Sequence, residues 1–220
     1  MNKRLLLILP LLLLSFSGFA QLQKGNKILG GTLSYSTSTS NSGDIGVFGD
    51  DTKTKSFVIN PTLGFFVSDR TVVGLIFNIS SYSREANRSS GGESEYNSDQ
   101  FGFGPFVRRY FPVKEWVAFY GQADLGYSFG EVEQTYSPYN TELGHKFKNK
   151  SLNLSTSLGL AFFPTKWMSV DLAINPLSFT HQITQNTQAS IHSENKLNNF
   201  NFNLNTQSFF IGAHFFLNKK

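Results

Sequence analysis

Residues 99–129, DQFGFGPFVRRYFPVKEWVAFYGQADLGYSF, contain two runs in which apolar side chains occupy every second position. The apolar row of the first run is Phe101, Phe103, Pro105 and Val107, and that of the second run is Val117, Phe119, Ala123, Leu125, Tyr127 and Phe129. The alternate rows carry Gln100, Arg108, Gln122 and Asp124 among glycines. A period of two residues is typical of a β-strand whose two faces meet different surroundings. The stretch therefore predicts two strands joined by a tight turn at FPVKE.

The same alternation recurs along the chain. We predict eight strands at residues 27–36, 55–66, 71–82, 98–110, 116–129, 150–163, 168–180 and 200–217. Three connections are tight, at 67–70, 111–115 and 164–167, and four are long and polar, at about 37–54, 83–97, 130–149 and 181–199. Strands joined by alternately short and long connections form an up-and-down antiparallel meander, with all the long loops at one end.

The last predicted strand changes its phase. Phe200 and Phe202 continue one alternation, whereas Phe209 and Ile211 begin the opposite one. An extra residue in one strand produces such a slip, so we expect a β-bulge within 200–217.

The first twenty residues, MNKRLLLILPLLLLSFSGFA, have a basic start, an apolar run and small residues at the end. This pattern is typical of a cleaved secretory signal peptide, and the apolar run is too short for a transmembrane anchor. We therefore predict a signal peptide at residues 1–20 and one domain at residues 21–220.

Charge and cysteine content limit the class of protein. Without the two basic residues of the predicted signal, the chain has 17 basic and 15 acidic residues, a net charge of +2, which predicts no nucleic-acid partner. It has no cysteine, so neither a disulfide framework nor a lipid-modified cysteine is available.

Either a soluble barrel or a membrane barrel would show alternating faces, and the polar face favours the membrane. Without partners, each polar group in a dry soluble core would cost about 2–7 kcal/mol, whereas such groups can pair inside a narrow membrane barrel. The predicted interior polar network is Asn60, Asn78, Arg108, Gln122, Asp124, Asn153, Asp171 and Asn175. The strand lengths also suit a membrane, since a tilted transmembrane strand needs about 9–11 residues.

Aromatic residues concentrate near both ends of the predicted strands. The set at the short-turn end is Phe65, Phe66, Tyr110, Phe111, Trp116, Phe162, Phe163, Trp167, Phe215 and Phe216. The set towards the long loops includes Tyr127 and Phe129. Two such rings are what aromatic side chains form at the interfaces between membrane and water. We expect Tyr110, Phe111, Trp116, Tyr127, Phe129 and Trp167 to be interfacial aromatics.

These features define a fold class: an all-β, eight-stranded, antiparallel, up-and-down transmembrane β-barrel. The strand GFGPFVRRYF, the final strand SFFIGAHFFLNKK and the eight-strand plan resemble the small outer-membrane β-barrel family that includes OmpX and the OmpA membrane domain. The resemblance implies a monomer in the outer membrane of a Gram-negative bacterium, in contact with lipid and lipopolysaccharide. It also implies recognition by the barrel-insertion machinery, with Gly212, Phe215 and Leu217 as the signal.

The interior charges allow two interpretations. Arg108, Asp124 and Asp171 all point inward by strand phase, and they could form either a gate or a structural plug of paired charges. Narrow barrels have filled interiors, which favours the plug. Arg108 and Asp171 lie a few residues from short turns, so we expect them at similar heights.

No pattern in the sequence predicts catalysis or a metal site. The histidines are His145, His181, His192 and His214, and none of them forms an H-x-x-x-H or H-E-x-x-H pattern. The string IHSEN places His192 beside Ser193, but neighbours on an extended chain point in opposite directions. We therefore expect no cofactor and no enzyme activity.

The functional expectation is a role in envelope integrity, or surface binding of an extracellular protein through four long loops. Two alternatives stay open. One is an enzyme that modifies lipid A at the outer leaflet, since some eight-stranded barrels are acyltransferases or deacylases, and the other is a secreted soluble ligand-binding barrel.

Overall fold

The computed structural model describes residues 20–41, 50–88, 92–138, 143–187, 193–202 and 210–217. Apart from Ala20, the predicted signal peptide lies outside these ranges. The described chain begins with a short 3-10 helix, Ala20–Leu22. The strands that follow are β1 Lys27–Asn41, β2 Asp50–Ser68, β3 Thr71–Arg88, β4 Gly92–Lys114, β5 Val117–Pro138, β6 Leu143–Thr165, β7 Met168–Asn186, β8 Glu194–Phe202 and β9 Phe210–Leu217.

The strands form one closed antiparallel sheet. Each strand from β1 to β7 pairs with the next along the chain, and β9 pairs with both β7 and β1. Since β8 and β9 pair with successive halves of β7, they occupy a single position in the ring, which therefore has eight. The predicted eight-stranded antiparallel barrel is confirmed.

The strands extend far beyond the predicted boundaries, and the prediction of four long loops is wrong in this respect. Most of 130–149, for example, is a ladder in which Glu131 pairs with Lys148 and Tyr136 with Leu143. Outside the membrane both faces of a strand meet water, so apolar alternation disappears while backbone pairing continues. The apolar pattern thus marked only the membrane-facing part of each strand.

Two-residue turns join the strands at the opposite end. They lie between Ser68 and Thr71, between Lys114 and Val117, and between Thr165 and Met168. The tight connections are confirmed, although β4 continues through most of FPVKE, which was predicted to be a turn.

The phase slip in the last strand is also present. Phe200 and Phe202 of β8 lie on the outer surface at even positions, whereas Ile211 and Leu217 of β9 lie there at odd positions. Residues 203–209 are outside the described ranges; Phe202 pairs with Leu177 and Phe210 with Ala173 of β7.

The outer surface of the barrel is apolar over the part nearer the two-residue turns, which is its lower part in the description that follows. Its exposed side chains include Leu29, Leu63, Leu75, Phe103, Val107, Phe119, Leu125, Leu154, Leu158 and Val170. The alternate residues face inward and are largely buried. No described helix has the length and apolar character needed to cross a membrane.

Gly104 lies at a close approach between two strands that leaves no room for a side chain. At Gly104, on the inward face of β4, an added Cβ would collide with the carbonyl oxygen of Leu125 and would lie 2.7 Å from the Cα of Gly126. At Gly126, on the inward face of β5, an added Cβ would have nothing within 4 Å. The two glycines therefore offer a matched pair of test positions.

We expect Gly104→Ala to lower the free energy of unfolding by about 1–3 kcal/mol, because β4 and β5 would have to separate. Gly126→Ala should change it by less than about 0.5 kcal/mol. Urea unfolding of the barrel in lipid vesicles, followed by tryptophan fluorescence, measures both. Equal losses in the two variants would contradict the close approach.

Candidate functional site: the barrel interior

A buried aromatic cluster fills the barrel at the short-turn end. Phe66 stacks on Tyr110 with ring centroids 6.2 Å apart, and Phe163 lies 5.7 Å from Phe216 and 6.3 Å from Tyr110. Ile28, Val72 and Leu22 are buried around these rings. A dry plug of this kind closes the interior at this end.

The cluster corrects one prediction. Tyr110 is 1% exposed and points inward, so its assignment as an interfacial aromatic is wrong, as is the placement of Phe66, Phe163 and Phe216 in the outer ring. The assignment followed residue type and height along the strand. The strand phase that placed Arg108 inside also places Tyr110 inside, since the two are separated by one residue.

Arg108 lies directly above this cluster and forms an ion pair across the barrel. Its Nη1 donates to Asp171 Oδ2 at 2.8 Å and to the Tyr110 hydroxyl at 3.2 Å, and its guanidinium carbon lies 4.3 Å from the centroid of the Tyr120 ring. Asp171 also accepts from Ser169 Oγ at 2.7 Å. Both charged groups are almost fully buried. The two residues expected at similar heights are thus in direct contact.

His214 lies against the Arg108–Asp171 ion pair. Its Nδ1 lies 3.0 Å from Asp171 Oδ2, and its side chain is 1% exposed. Gly30 faces it from the neighbouring strand, where an added Cβ would lie 2.7 Å from His214 Cδ2. The imidazole therefore packs directly against the backbone of Gly30 in the barrel wall.

A chain of hydrogen bonds continues upward from Arg108. Arg108 Nε donates to Gln122 Oε1 at 2.8 Å, and Gln122 Nε2 donates to Asp124 Oδ1 at 3.3 Å. Asp124 Oδ2 also accepts from Ser155 Oγ at 2.7 Å. The chain thus connects the Arg108–Asp171 ion pair with a second interior carboxylate.

The other residues of the predicted network form separate small groups on the wall. Asn78 donates to Asn60 at 2.7 Å, and Asn60 donates to Thr32 at 2.9 Å. Thr180 donates to Asn153 at 2.8 Å. Asn175 accepts from Ser157 at 2.8 Å. All eight predicted polar residues thus have partners inside the barrel, but they form several groups.

Above the Arg108–Asp171 ion pair lies a cavity of about 450 Å³. Amide and hydroxyl side chains make up about half of its lining, among them Asn60, Asn78, Gln100, Gln122, Ser128, Asn149, Ser151, Asn153, Ser155, Thr180 and Gln182. The interior therefore has two parts, a dry aromatic plug and a polar cavity. Asn149 was missed as an interior residue because it falls at the edge of a predicted loop.

Aromatic pairs lie on the outer surface at both ends of the apolar region. Trp116 stacks on Phe162 and Trp167 on Phe215 near the short turns, where Phe111 is also exposed. Towards the other end, Phe101 contacts Phe129 and Phe103 contacts Tyr127, edge to face. Apart from Tyr110, the residues predicted as interfacial aromatics lie on the outer surface near one end or the other of the apolar region.

The residues predicted as an insertion signal lie on β9. Phe215 and Leu217 are exposed on the outer surface, whereas Gly212 is buried opposite Thr32 of β1. This arrangement presents two apolar side chains to the outside of the closing strand.

The histidines do not converge. His181 Nδ1 lies 2.6 Å from Asn198 Oδ1 on the outer surface, His145 is exposed on β6, and His192 is outside the described residues. Within the described ranges, no group of three or more histidine, aspartate or glutamate side chains could hold a metal ion.

Comparison with solved structures finds similar chains at low sequence identity. The outer membrane protein OprG from Pseudomonas aeruginosa is 14% identical with a TM-score of 0.51, and the match covers 90% of this chain and 99% of OprG. Ail, the attachment invasion locus protein of Yersinia pestis, is 13% identical with a TM-score of 0.38, covering 89% of this chain and all of Ail. At this identity, the likeness to OprG supports the fold alone.

A comparison with curated proteins finds no match. The sequence does match the family described as "Outer membrane protein beta-barrel domain" over residues 6–208. The match covers most of the chain and agrees with the closed ring, the apolar outer surface and the polar interior. The resemblance to outer-membrane β-barrels is confirmed, and the chain belongs to the outer membrane protein β-barrel domain family.

Proposed function

We propose that the protein supports the integrity of the outer membrane by holding outer-leaflet lipopolysaccharide against its barrel, as a monomer without catalytic activity. The observation that carries the proposal is a group of lysines on the outer surface of β6, immediately beyond the apolar residues. On this face Leu158, Leu154 and Leu152 are followed by Lys150, Lys148 and Lys146.

Among the described residues, two of these lysines form no direct ion pair, although Lys148 faces Glu131 across the ladder and Lys150 lies near Glu194. Lys146 forms an ion pair with Glu133, which raises the lysine pKa, and Lys196 of β8 pairs with Glu194 at 3.0 Å. Hydrogen bonds from Lys196 and Gln185 hold the pKa of Glu194 below its ordinary value. In the described part of the chain, Lys148 and Lys150 form no ion pair within 4 Å.

The position of these lysines suits a phosphorylated lipid headgroup. Lys150 pairs in register with Ile183, which pairs with Lys196, so two cations lie two strands apart, about 10 Å. Lysine binds phosphate as a mobile point charge, and basic residues at a membrane boundary are attracted to anionic headgroups. Lipopolysaccharide phosphates lie at the corresponding depth in an outer membrane.

A second surface beyond the membrane is acidic. Glu93, Glu95 and Asp99 of β4 lie on the outward face, where Asp99 pairs in register with Glu131 of β5. Like charges that face each other across a strand pair are destabilising, and a basic partner would relieve the repulsion. Binding of an extracellular protein at these extensions stays a prediction.

The geometry of β9 supports the proposed route of insertion. Phe215 and Leu217 face the lipid side of the strand that closes the ring. A factor that pairs with the last strand before closure would meet both side chains. We propose these residues, with Gly212, as the signal for the barrel-insertion machinery.

We also propose that the interior network is a structural plug. Arg108 and Asp171 contact each other, and each has further partners around a dry aromatic layer. A buried pair of this kind loses most when only one partner is removed.

Replacing Lys148 and Lys150 together by glutamine should increase outer-membrane permeability to a hydrophobic fluorescent dye, because two contacts to lipid phosphates disappear. The measurement compares cells that lack the protein and are complemented with equal amounts of each variant. Lys27→Gln combined with Lys166→Gln is the matched control, since it removes the same charge at the short-turn end. Wild-type permeability in both doubles would refute the proposed lipid contact.

Lipid A from cells with and without the protein should have identical mass spectra. A non-catalytic barrel leaves acyl chains unchanged. A difference of one acyl chain would instead establish the lipid-modifying alternative, and it would direct mutagenesis to His181, His192 and Ser193.

Arg108→Leu should lower the free energy of unfolding in vesicles by about 3–5 kcal/mol, since it leaves the Asp171 carboxylate buried and unpaired. The neighbouring Arg109→Leu is the control, because Arg109 is exposed, donates a hydrogen bond to Thr71 and lies 5.9 Å from the centroid of the Phe111 ring. The double variant Arg108→Leu, Asp171→Leu should recover most of the loss. Equal stability of the Arg108 and Arg109 variants would exclude the structural pairing.

A further inference from the structure

The polar cavity has features of a ligand site that the plug does not explain. With a volume of about 450 Å³, it falls within the range of small-molecule pockets, about 300–1,000 Å³. It lies above Arg108 and is separated from the short-turn end by the buried aromatic cluster. A molecule inside it would therefore meet a closed floor.

Asn149 supplies the clearest indication of an occupant. Its side chain is 8% exposed and lines the cavity, yet its Oδ1 has no hydrogen-bond partner within the described part of the chain. Buried polar atoms are nearly always hydrogen-bonded, so this acceptor calls for a donor from whatever fills the cavity. Its neighbours across the ladder, Gly130 and Thr184, leave the amide oxygen unbonded.

The charges around the cavity disfavour an anionic ligand. Arg108 is bonded to Asp171 and Gln122, and Asp124 is bonded to Gln122 and Ser155. Arg108 is thus neutralised by Asp171, and Asp124 leaves the cavity slightly negative. An anion would be repelled, whereas a neutral donor would be accepted.

The remaining wall suits a molecule with both hydroxyl groups and C–H faces. Beside the amide and hydroxyl groups, the lining includes Val58, Ile76 and Ala173 and the aromatic residues Phe77, Tyr120 and Phe210. A purely apolar ligand would leave the polar wall without partners. A sugar offers hydroxyl donors to Asn149 and Asp124 and apolar ring faces to the aliphatic side chains.

We propose that this cavity binds a small, uncharged, polyhydroxylated molecule of the sugar or polyol class, with Asn149 Oδ1 accepting from one of its hydroxyl groups. The site is independent of the proposed lipid contact, since it lies inside the barrel and the lysines lie outside.

The test uses the full barrel in lipid nanodiscs with glycerol, D-glucose and maltose as probes, followed by saturation-transfer NMR. We expect saturable binding of at least one probe, and much weaker binding of D-glucuronate than of D-glucose, because the carboxylate would face Asp124. If none of the three neutral probes binds saturably, the cavity holds water only and the proposal fails.

Two variants and one control test whether the probe binds in this cavity. Asn149→Leu should weaken the affinity by about tenfold or more, because it removes the acceptor. Asn87→Leu, at an exposed position of β3, should leave it unchanged. Gly126→Leu should abolish binding by filling the cavity, and it should fold because no atom lies within 4 Å of its added Cβ. Wild-type affinity in both Asn149→Leu and Gly126→Leu would overturn the assignment.

Discussion

The structure depends on pairing between its first and last strands. Within hydrocarbon, every backbone N–H and C=O must find a partner in the protein, because neither water nor lipid tails supply one. The register from Lys27 with Leu217 to Leu33 with Ile211 closes the ring and pairs the edges of β1 and β9 over that length. Closure then determines the faces, since one side of every strand meets lipid and the other meets the interior.

The barrel interior fills its space and pairs its buried polar groups in two different ways. At the short-turn end, large rings fill the space and the charges of Arg108 and Asp171 neutralise each other. Further up, small polar side chains bond to one another in pairs and short chains, and they leave room between them. The ion pair of Arg108 and Asp171 lies at the boundary between these two parts. The Tyr120 ring faces Arg108, and the hydrogen-bonded chain begins at Gln122.

Strand phase predicted most of the fold. The membrane-facing rows, the tight turns, the inward direction of Arg108 and Asp171 and the slip in the last strand all follow from a period of two. Three features did not follow. The strand extensions carry polar residues on both faces, so nothing in the sequence distinguishes them from loops. Tyr110 was placed by residue type although its phase was visible, and Asn149 was hidden because the predicted strand began only at residue 150.

The unequal ends of the strands have a consequence for assembly. Beyond Phe129, β5 continues to Pro138, which is about 30 Å at about 3.3 Å per residue, roughly the thickness of the hydrocarbon core. During insertion these charged ribbons must cross that core, where a lysine or arginine on the lipid face costs about 2–4 kcal/mol at the midplane. Returning the extensions through that core would carry the same cost, so an inserted barrel keeps its orientation.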